Sequence, residues 1–173
     1  MGMAQQKQII KTLPRKSQFI RRDPNPNVGE QAVAANFDYV FIMTSLNKDF
    51  NVNRISRYLA LAHQSGAAPV VILTKADIAD DIDSIIHAAK TVAGNAEVIQ
   101  VSVVSGAGLD RLNDYLQPGK TIVFLGMSGA GKSSLLNTVM GQDVGNVDYC
   151  KRLYRSGVII NIKPKGYRLW GET

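Results

Sequence analysis

The 173-residue chain has one cysteine, Cys150. A single thiol closes no disulfide within the chain and cannot alone hold a structural zinc, so no zinc is expected. Long apolar runs are missing too. No stretch approaches the roughly 20 residues of a membrane-spanning helix. Met1 to Gln8 is polar, and Ile9-Ile10 is too short for the apolar core of a signal peptide. A reducing cytoplasm without membrane attachment is the expectation. Internal repeats and low-complexity tracts are also missing. With 45% hydrophobic and 20% charged residues, the chain reads as one soluble globular domain with a real core.

Acidic residues are scarce at both ends. Lys7, Lys11, Arg15, Lys16, Arg21 and Arg22 fall in the first 22 residues with no acid among them. Lys151, Arg152, Arg155, Lys163, Lys165 and Arg168 fall in the last 23, opposed only by Glu172. The middle is near neutral, and the formal net charge is +6. Basic ends fit a polyanionic partner such as RNA, or simply a pair of solvated tails.

Residues 1–30 read as a basic segment around Pro14. It carries short strand fragments at Gln8–Leu13 and Ser17–Ile20 and a turn-rich linker at Asp23–Asn27. Its apolar content is too low for a separate domain. Residues 31–173 read as the main domain. There, apolar strand runs at Tyr39–Met43, Pro69–Leu73 and Thr121–Leu125, and a further strand at Glu97–Val101, alternate with helical periodicities. The helices are placed at Asn53–His63, Asp81–Ala93, Leu109–Leu116 and Ser133–Met140. Gly66 and Gly94 stand as C-terminal stops, and Pro118-Gly119 closes the third helix. This alternation predicts an α/β fold in three layers, with a mostly parallel sheet and ligands at the strands' C-terminal ends.

At one such end lies Gly126-Met127-Ser128-Gly129-Ala130-Gly131-Lys132-Ser133, with Ser134 behind it. The form is G-x-x-x-x-G-K-[ST], between a buried strand and a helix. The glycines let the backbone turn sharply and aim its N–H groups inward. Those donors and the helix N-terminus suit a polyanion. Lys132 reaches the terminal phosphates as a point charge, and the Ser133 hydroxyl takes one place on Mg²⁺. The bland alternative is a glycine-rich turn that holds nothing.

Two further segments end strands at the same edge. Thr74-Lys75-Ala76-Asp77 resembles the N/T-K-x-D motif of GTPases. The Asp77 carboxylate can accept two hydrogen bonds, from the ring N–H and exocyclic amine of guanine, and adenine cannot supply that pair. Lys75 lays its stem along base and ribose. Thr74 replaces the commoner asparagine and offers less hydrogen bonding, so a looser site is expected. Asn47-Lys48-Asp49 is a decoy, with its aspartate one position early. Val101-Ser102-Val103 resembles the S-A-x loop that meets guanine O6 through a backbone N–H, with Val103 in place of alanine. Each motif alone is weak; together they are strong. Their order, with both base loops ahead of the P-loop, is that of a circularly permuted GTPase.

The chain resembles the family of ribosome small subunit-dependent GTPase A, the RsgA/YjeQ family. Leu13–Ser17, Thr44–Asn51, Arg54-Ile55, Arg57–Leu59, the Thr74 loop, Gly106–Leu109 and the P-loop carry the likeness, from about Ile9 to Asp143. The resemblance implies GTP and GDP as ligands, the 30S subunit and its 16S rRNA as partners, and a role late in 30S assembly. The family's OB-fold and zinc domain have no counterpart here beyond a segment near Lys7–Arg22 that fits the last OB strand. Between Gln142 and Val158 the chain is too short for the usual first switch. Asn161 falls where the family has the D-T-P-G aspartate, and an amide is a poorer Mg²⁺ partner. Weak or absent turnover is therefore expected, and no catalytic residue is assigned. A GTPase, a non-catalytic guanine-nucleotide module and a truncated remnant all stand as readings. An ATP-specific protein is opposed by Asp77. The chain is expected to be a monomer. His63, His87, Trp170 and Cys150 are read as packing or surface residues.

Overall fold

The structure is a computed structural model that describes residues 11, 12, 14–22, 29–47, 50–78, 82–140, 157–163 and 166–169. In chain order, its first half runs β1 (Gln18–Arg22), β2 (Glu30–Ala35), β3 (Tyr39–Ser45), α1 (Val52–Ser65) and β4 (Ala68–Thr74). Then come α2 (Ile82–Ala93), β5 (Glu97–Val101), β6 (Thr121–Gly126), α3 (Lys132–Met140), β7 (Gly157–Lys163) and β8 (Gly166–Leu169). Short 3-10 turns occupy Ala76–Ile78 and Asp110–Asp114.

The main sheet has the order β5-β4-β3-β6-β7-β8. Its first four strands are mutually parallel, and β7 and β8 are antiparallel additions. The continuous apolar runs make sense because each parallel strand is covered on both faces. Val40, Ile42, Val71, Leu73, Val98, Val123 and Leu125 face one core, where Ile55, Leu59 and Ala62 of α1 and Ala89 and Ala93 of α2 join them. Phe41, Met43, Val70, Ile72, Ile99, Ile122 and Phe124 face the other core, with Leu112 and with Leu135 and Leu136 of α3. Period-two alternation therefore sorts each strand's side chains between two helical layers.

Local signals set the helix ends. Asn51 caps α1, its side chain accepting from the Arg54 amide at 3.1 Å. Gly66 stops α1 in the left-handed region at φ 84°. The helix expected over Leu109–Leu116 is instead a 3-10 turn of five residues. Leu112 is the buried residue of the turn, and Leu109, Tyr115 and Leu116 flank it part-buried on the second core; a segment this short, with Pro118 just beyond it, makes too few i→i−4 bonds to propagate an α-helix.

β1 and β2 form an antiparallel pair with an irregularity between Phe19 and Ile20. Phe19 stacks on Phe37 with ring centroids 4.7 Å apart and joins the core under α1. Ser17 ties the same corner: its hydroxyl donates to the Phe37 carbonyl at 2.5 Å and accepts from the Phe37 amide at 2.8 Å.

Candidate functional site

Strand register brings three loops to one edge. Ser45 pairs with Thr74, Thr74 with Val101, and Met43 with Gly126, so β3, β4 and β5 end at one level and β6 ends two residues short of it, at the same edge. β3 separates β4 from β6, which puts Thr74 and Gly126 two strand spacings apart, about 10 Å.

On the β6 side the chain enters the glycine loop. Gly129 and Gly131 have φ of 81° and 82°, the left-handed turn that glycine permits. Gly126 is different, and the expectation that all three serve the turn is corrected there. A Cβ at Gly126 would lie 2.5 Å from the Met43 carbonyl oxygen, so glycine is needed for close approach to β3. Met127, Ser128 and Gly129 are exposed, and Ala130 is buried. Lys132 donates from Nζ to the carbonyls of Gly126 at 2.7 Å and Met127 at 2.6 Å, which holds its ammonium against the first half of the loop. Ser133 and Ser134 are exposed on the first turn of α3, which carries no acid, while Leu135 and Leu136 anchor that turn in the core. The helix N-terminus thus presents amides, hydroxyls and a cation to one volume, as an anion requires.

On the β4 side, Thr74 is buried and its Oγ1 donates to the Ala130 carbonyl at 2.9 Å. A hydroxyl has one proton to give, and this one links β4 to the glycine loop across the end of β3. Lys75 sits at φ 61°, in the left-handed region unusual for a side-chain-bearing residue. It turns the chain into the 3-10 turn that carries Ala76 and Asp77.

Asp77 is exposed, yet its carboxylate is oriented: Ser102 Oγ donates to Oδ1 at 2.6 Å. Ser102 is itself buried and accepts from the amides of Val104 and Ser105, both at 3.2 Å. Ser102 thus joins the two base loops through its side chain, a role that sequence reasoning missed. The signal available was its place, the first residue after β5. Val103 is half-buried and packs on the second core. Arg54 was also passed over as a site residue. It lines a cavity of about 100 Å³ with Met43, Thr44, Ser45, Met127, Ser128 and Ala130.

Other expected residues lie elsewhere. β7 runs antiparallel to β6, pairing Leu125 with Gly157 and Thr121 with Asn161. Asn161 therefore stands at the start of β6, five residues from the glycine loop, or about 16 Å along a strand. The expectation that it takes the aspartate's place beside the phosphates is corrected by this strand direction. Residues 141–156, including Cys150 and most of the shortened switch span, lie outside the described residues, as do Trp170 and the Lys48-Asp49 part of the decoy. His63 and His87 are exposed. His63 lines a separate cavity of about 570 Å³, with Glu97 and Tyr115, at the other end of the sheet. There Tyr115 and Arg111 both donate to the Glu97 carboxylate. The tyrosine bond and then the guanidinium hold Glu97 below its ordinary value, while burial first and Glu97 second push Tyr115 up.

Among the described residues no group of three His, Cys, Asp or Glu side chains could hold a metal by itself. The donors at the loop still fit Mg²⁺, which takes one hard oxygen such as the Ser133 hydroxyl and completes its shell with phosphate oxygens and water. Among the described residues no helix is long and apolar enough to cross a membrane.

A glycine loop between a buried strand and a helix, placed after its companion loops in sequence but beside them in space, defines a circularly permuted P-loop nucleotide-binding domain. The family model described as RsgA GTPase matches residues 12–157. The chain belongs to the RsgA GTPase family. It is 43% identical over 136 residues to the small ribosomal subunit biogenesis GTPase RsgA of Methanosarcina acetivorans, covering 79% of this chain and 37% of that protein. Among solved structures it resembles YjeQ from Thermotoga maritima, with TM-score 0.59, 28% identity, and coverage of 73% of this chain and 43% of that one. It shares the fold of YloQ, described as a circularly permuted GTPase, with TM-score 0.52, 19% identity, and coverage of 91% and 56%. The chain spans less than half the length of the curated relatives it matches.

Proposed function

We propose that this chain binds guanine nucleotides at the edge formed by Thr74–Asp77, Ser102-Val103 and Gly126–Ser134, and that it hydrolyses GTP to GDP and phosphate during small-subunit assembly. The observation that carries this reading is the pair of hydrogen bonds joining the loops, Ser102 to Asp77 and Thr74 to Ala130. These bonds tie loops far apart in sequence to one another, which supports a single site with a base end and a phosphate end.

Asp77 reads the guanine edge while Ser102 fixes its carboxylate. The stem of Lys75 covers the base, and the backbone beside Val103 meets O6. The amides of 127–133 and the Lys132 ammonium neutralise the phosphates. The Ser133 hydroxyl would hold Mg²⁺, which would offset the charge of the phosphates. Relatives named for small ribosomal subunit biogenesis support a 30S role. Exposed Lys11, Arg15 and Lys16 support contact with 16S rRNA. Residues 1–30 serve as a basic arm tied to the 31–173 domain where β1 pairs with β2, and the site acts within one chain in the cytoplasm.

A second reading, a guanine-nucleotide module with little turnover, is favoured by one observation: β7 carries Asn161 away from the phosphates. Titration with fluorescent GDP and competition by GDP, GTP and ATP tests the pocket. Displacement by guanine nucleotides but not ATP is expected, and equal displacement by ATP would defeat the guanine assignment. GTP turnover with and without 30S subunits then separates enzyme from module.

A further inference from the structure

Hydrolysis of a nucleoside triphosphate gathers negative charge on the transferred phosphoryl group, and fixed cations beside it supply much of the rate gain. Lys132 is one such cation. Arg54 is placed to be another. It lies in the first turn of α1, where the Asn51 side chain accepts from its amide, so its backbone is fixed at the helix N-terminus. Its half-buried side chain lines the cavity of about 100 Å³ against Met127 and Ser128.

The two ends of the P-loop can be told apart. Thr74, Asp77 and Ser102 mark the base end, and none of them lines this cavity. Met127 accepts from Lys132, the residue that reaches terminal phosphates, and Met127 does line it. Ala130, bonded to Thr74, lines it as well, so the cavity runs along the glycine loop, and its Met127–Ser128 side is the one that Lys132 marks. The cavity's volume leaves room for a phosphoryl group. Arginine suits this place better than lysine, because its planar fork meets two phosphate oxygens at once and stays charged at every working pH.

We propose that Arg54 is a catalytic and nucleotide-discriminating residue, its guanidinium contacting the terminal phosphate of bound GTP; this rests on the guanine-nucleotide reading above. In the reaction, a water oxygen bonds to the terminal phosphorus as the bond from phosphorus to the β–γ bridging oxygen breaks. That bond's electron pair stays on the β-phosphate of GDP, and both hydrogens of the water leave with inorganic phosphate as H2PO4⁻, which then ionises to solvent. Arg54 binds the charge spread over the transferring group and transfers no proton itself.

The test compares wild type, Arg54→Ala and Arg54→Lys in titrations with fluorescent GDP, with a non-hydrolysable GTP analogue, and with GDP plus aluminium fluoride. Arg54→Ala should leave GDP affinity within about twofold and weaken the GTP analogue and the fluoride complex about tenfold or more. Arg54→Lys should fall between, because it keeps charge and loses the fork. Where wild type turns over GTP, Arg54→Ala should lower kcat by a larger factor than it raises KM. Equal weakening of GDP and the analogue would assign Arg54 to holding α1 in place and overturn the proposal. So would unchanged binding of all three ligands. Failure of wild type to bind GDP at all would overturn the nucleotide reading first and this one with it.

Discussion

The base end and the phosphate end share one sheet edge but are built by different means. At the base end, side chains hold side chains and loops: buried Ser102 grips Asp77 and two amides, and buried Thr74 grips the neighbouring loop. At the phosphate end, backbone does the building. Glycine geometry shapes the turn, Lys132 bonds to carbonyls of its own loop, and Ser133 and Ser134 stay exposed. The contrast fits what each end is proposed to recognise. A base is read by a fixed in-plane acceptor, which must be oriented beforehand. A polyphosphate is read by charge and many N–H donors, which a loop and a helix N-terminus supply without side-chain precision.

If the ends differ in this way, mutations should separate them. The largest effect is expected from Asp77→Ala, which removes a charged acceptor at the base end. Competition should show guanine preference over adenine falling by about 2–3 kcal/mol, while ionic contacts to the phosphates persist. A retained preference would mean that the base is read elsewhere. Next comes Gly126→Ala, a backbone lesion at the phosphate end. The added Cβ would sit 2.5 Å from the Met43 carbonyl oxygen. Overpacking of that kind costs about 1–3 kcal/mol, and thermal denaturation should show a melting drop of several degrees. An unchanged melting temperature would show that β3 and β6 yield easily.

Thr74→Val tests the tie between the ends. It keeps shape and removes one buried hydrogen bond, so about 1 kcal/mol of stability and a few-fold of nucleotide affinity should go. A loss of affinity with no loss of stability would show that the tie matters only for ligand. The smallest effect belongs to the far end of the sheet, the control region without loops for nucleotide. Glu97 is held below its ordinary 4.5 chiefly by Tyr115, so its contribution is present at neutral pH, begins to fade as pH falls past 4.5 and is lost through its lower folded value. Tyr115 is raised above 10.0, chiefly by burial, so its contribution is intact below pH 10 and is lost as pH rises further. Glu97 and Arg111 are 43% and 51% exposed, so screening keeps the cluster to about 0.2–1 kcal/mol. Tyr115→Phe should flatten both limbs of the stability–pH curve slightly and leave nucleotide affinity untouched.

Much of this was legible in the chain. Three of the four parallel strands were readable because runs such as Tyr39–Met43 and Ile122–Leu125 are continuously apolar, as a strand buried on both faces requires; Glu97–Val101, with Glu97 and Gln100, was placed by its position in the alternation. Gly66 was readable as a helix stop because left-handed geometry selects glycine. The motifs Thr74–Asp77 and Gly126–Ser133 name their own chemistry, because binding guanine and phosphate restricts residue type within a few positions. The permuted order followed from their sequence positions alone.

Tertiary structure decided the rest, for reasons that no local pattern encodes. Strand direction is a matter of pairing, so only the fold could put Asn161 at the far end of β6. Close approach is a matter of neighbours, so only the fold could show that Gly126 answers to Met43 and not to a turn. The Ser102–Asp77 and Thr74–Ala130 bonds span 25 and 56 residues, and Arg54 and Ser128, further apart still in sequence, line one cavity. The sequence determined which groups the site contains, because chemistry selects residue types. The fold determined which of them meet, because contact depends on register and layer order set by the whole core.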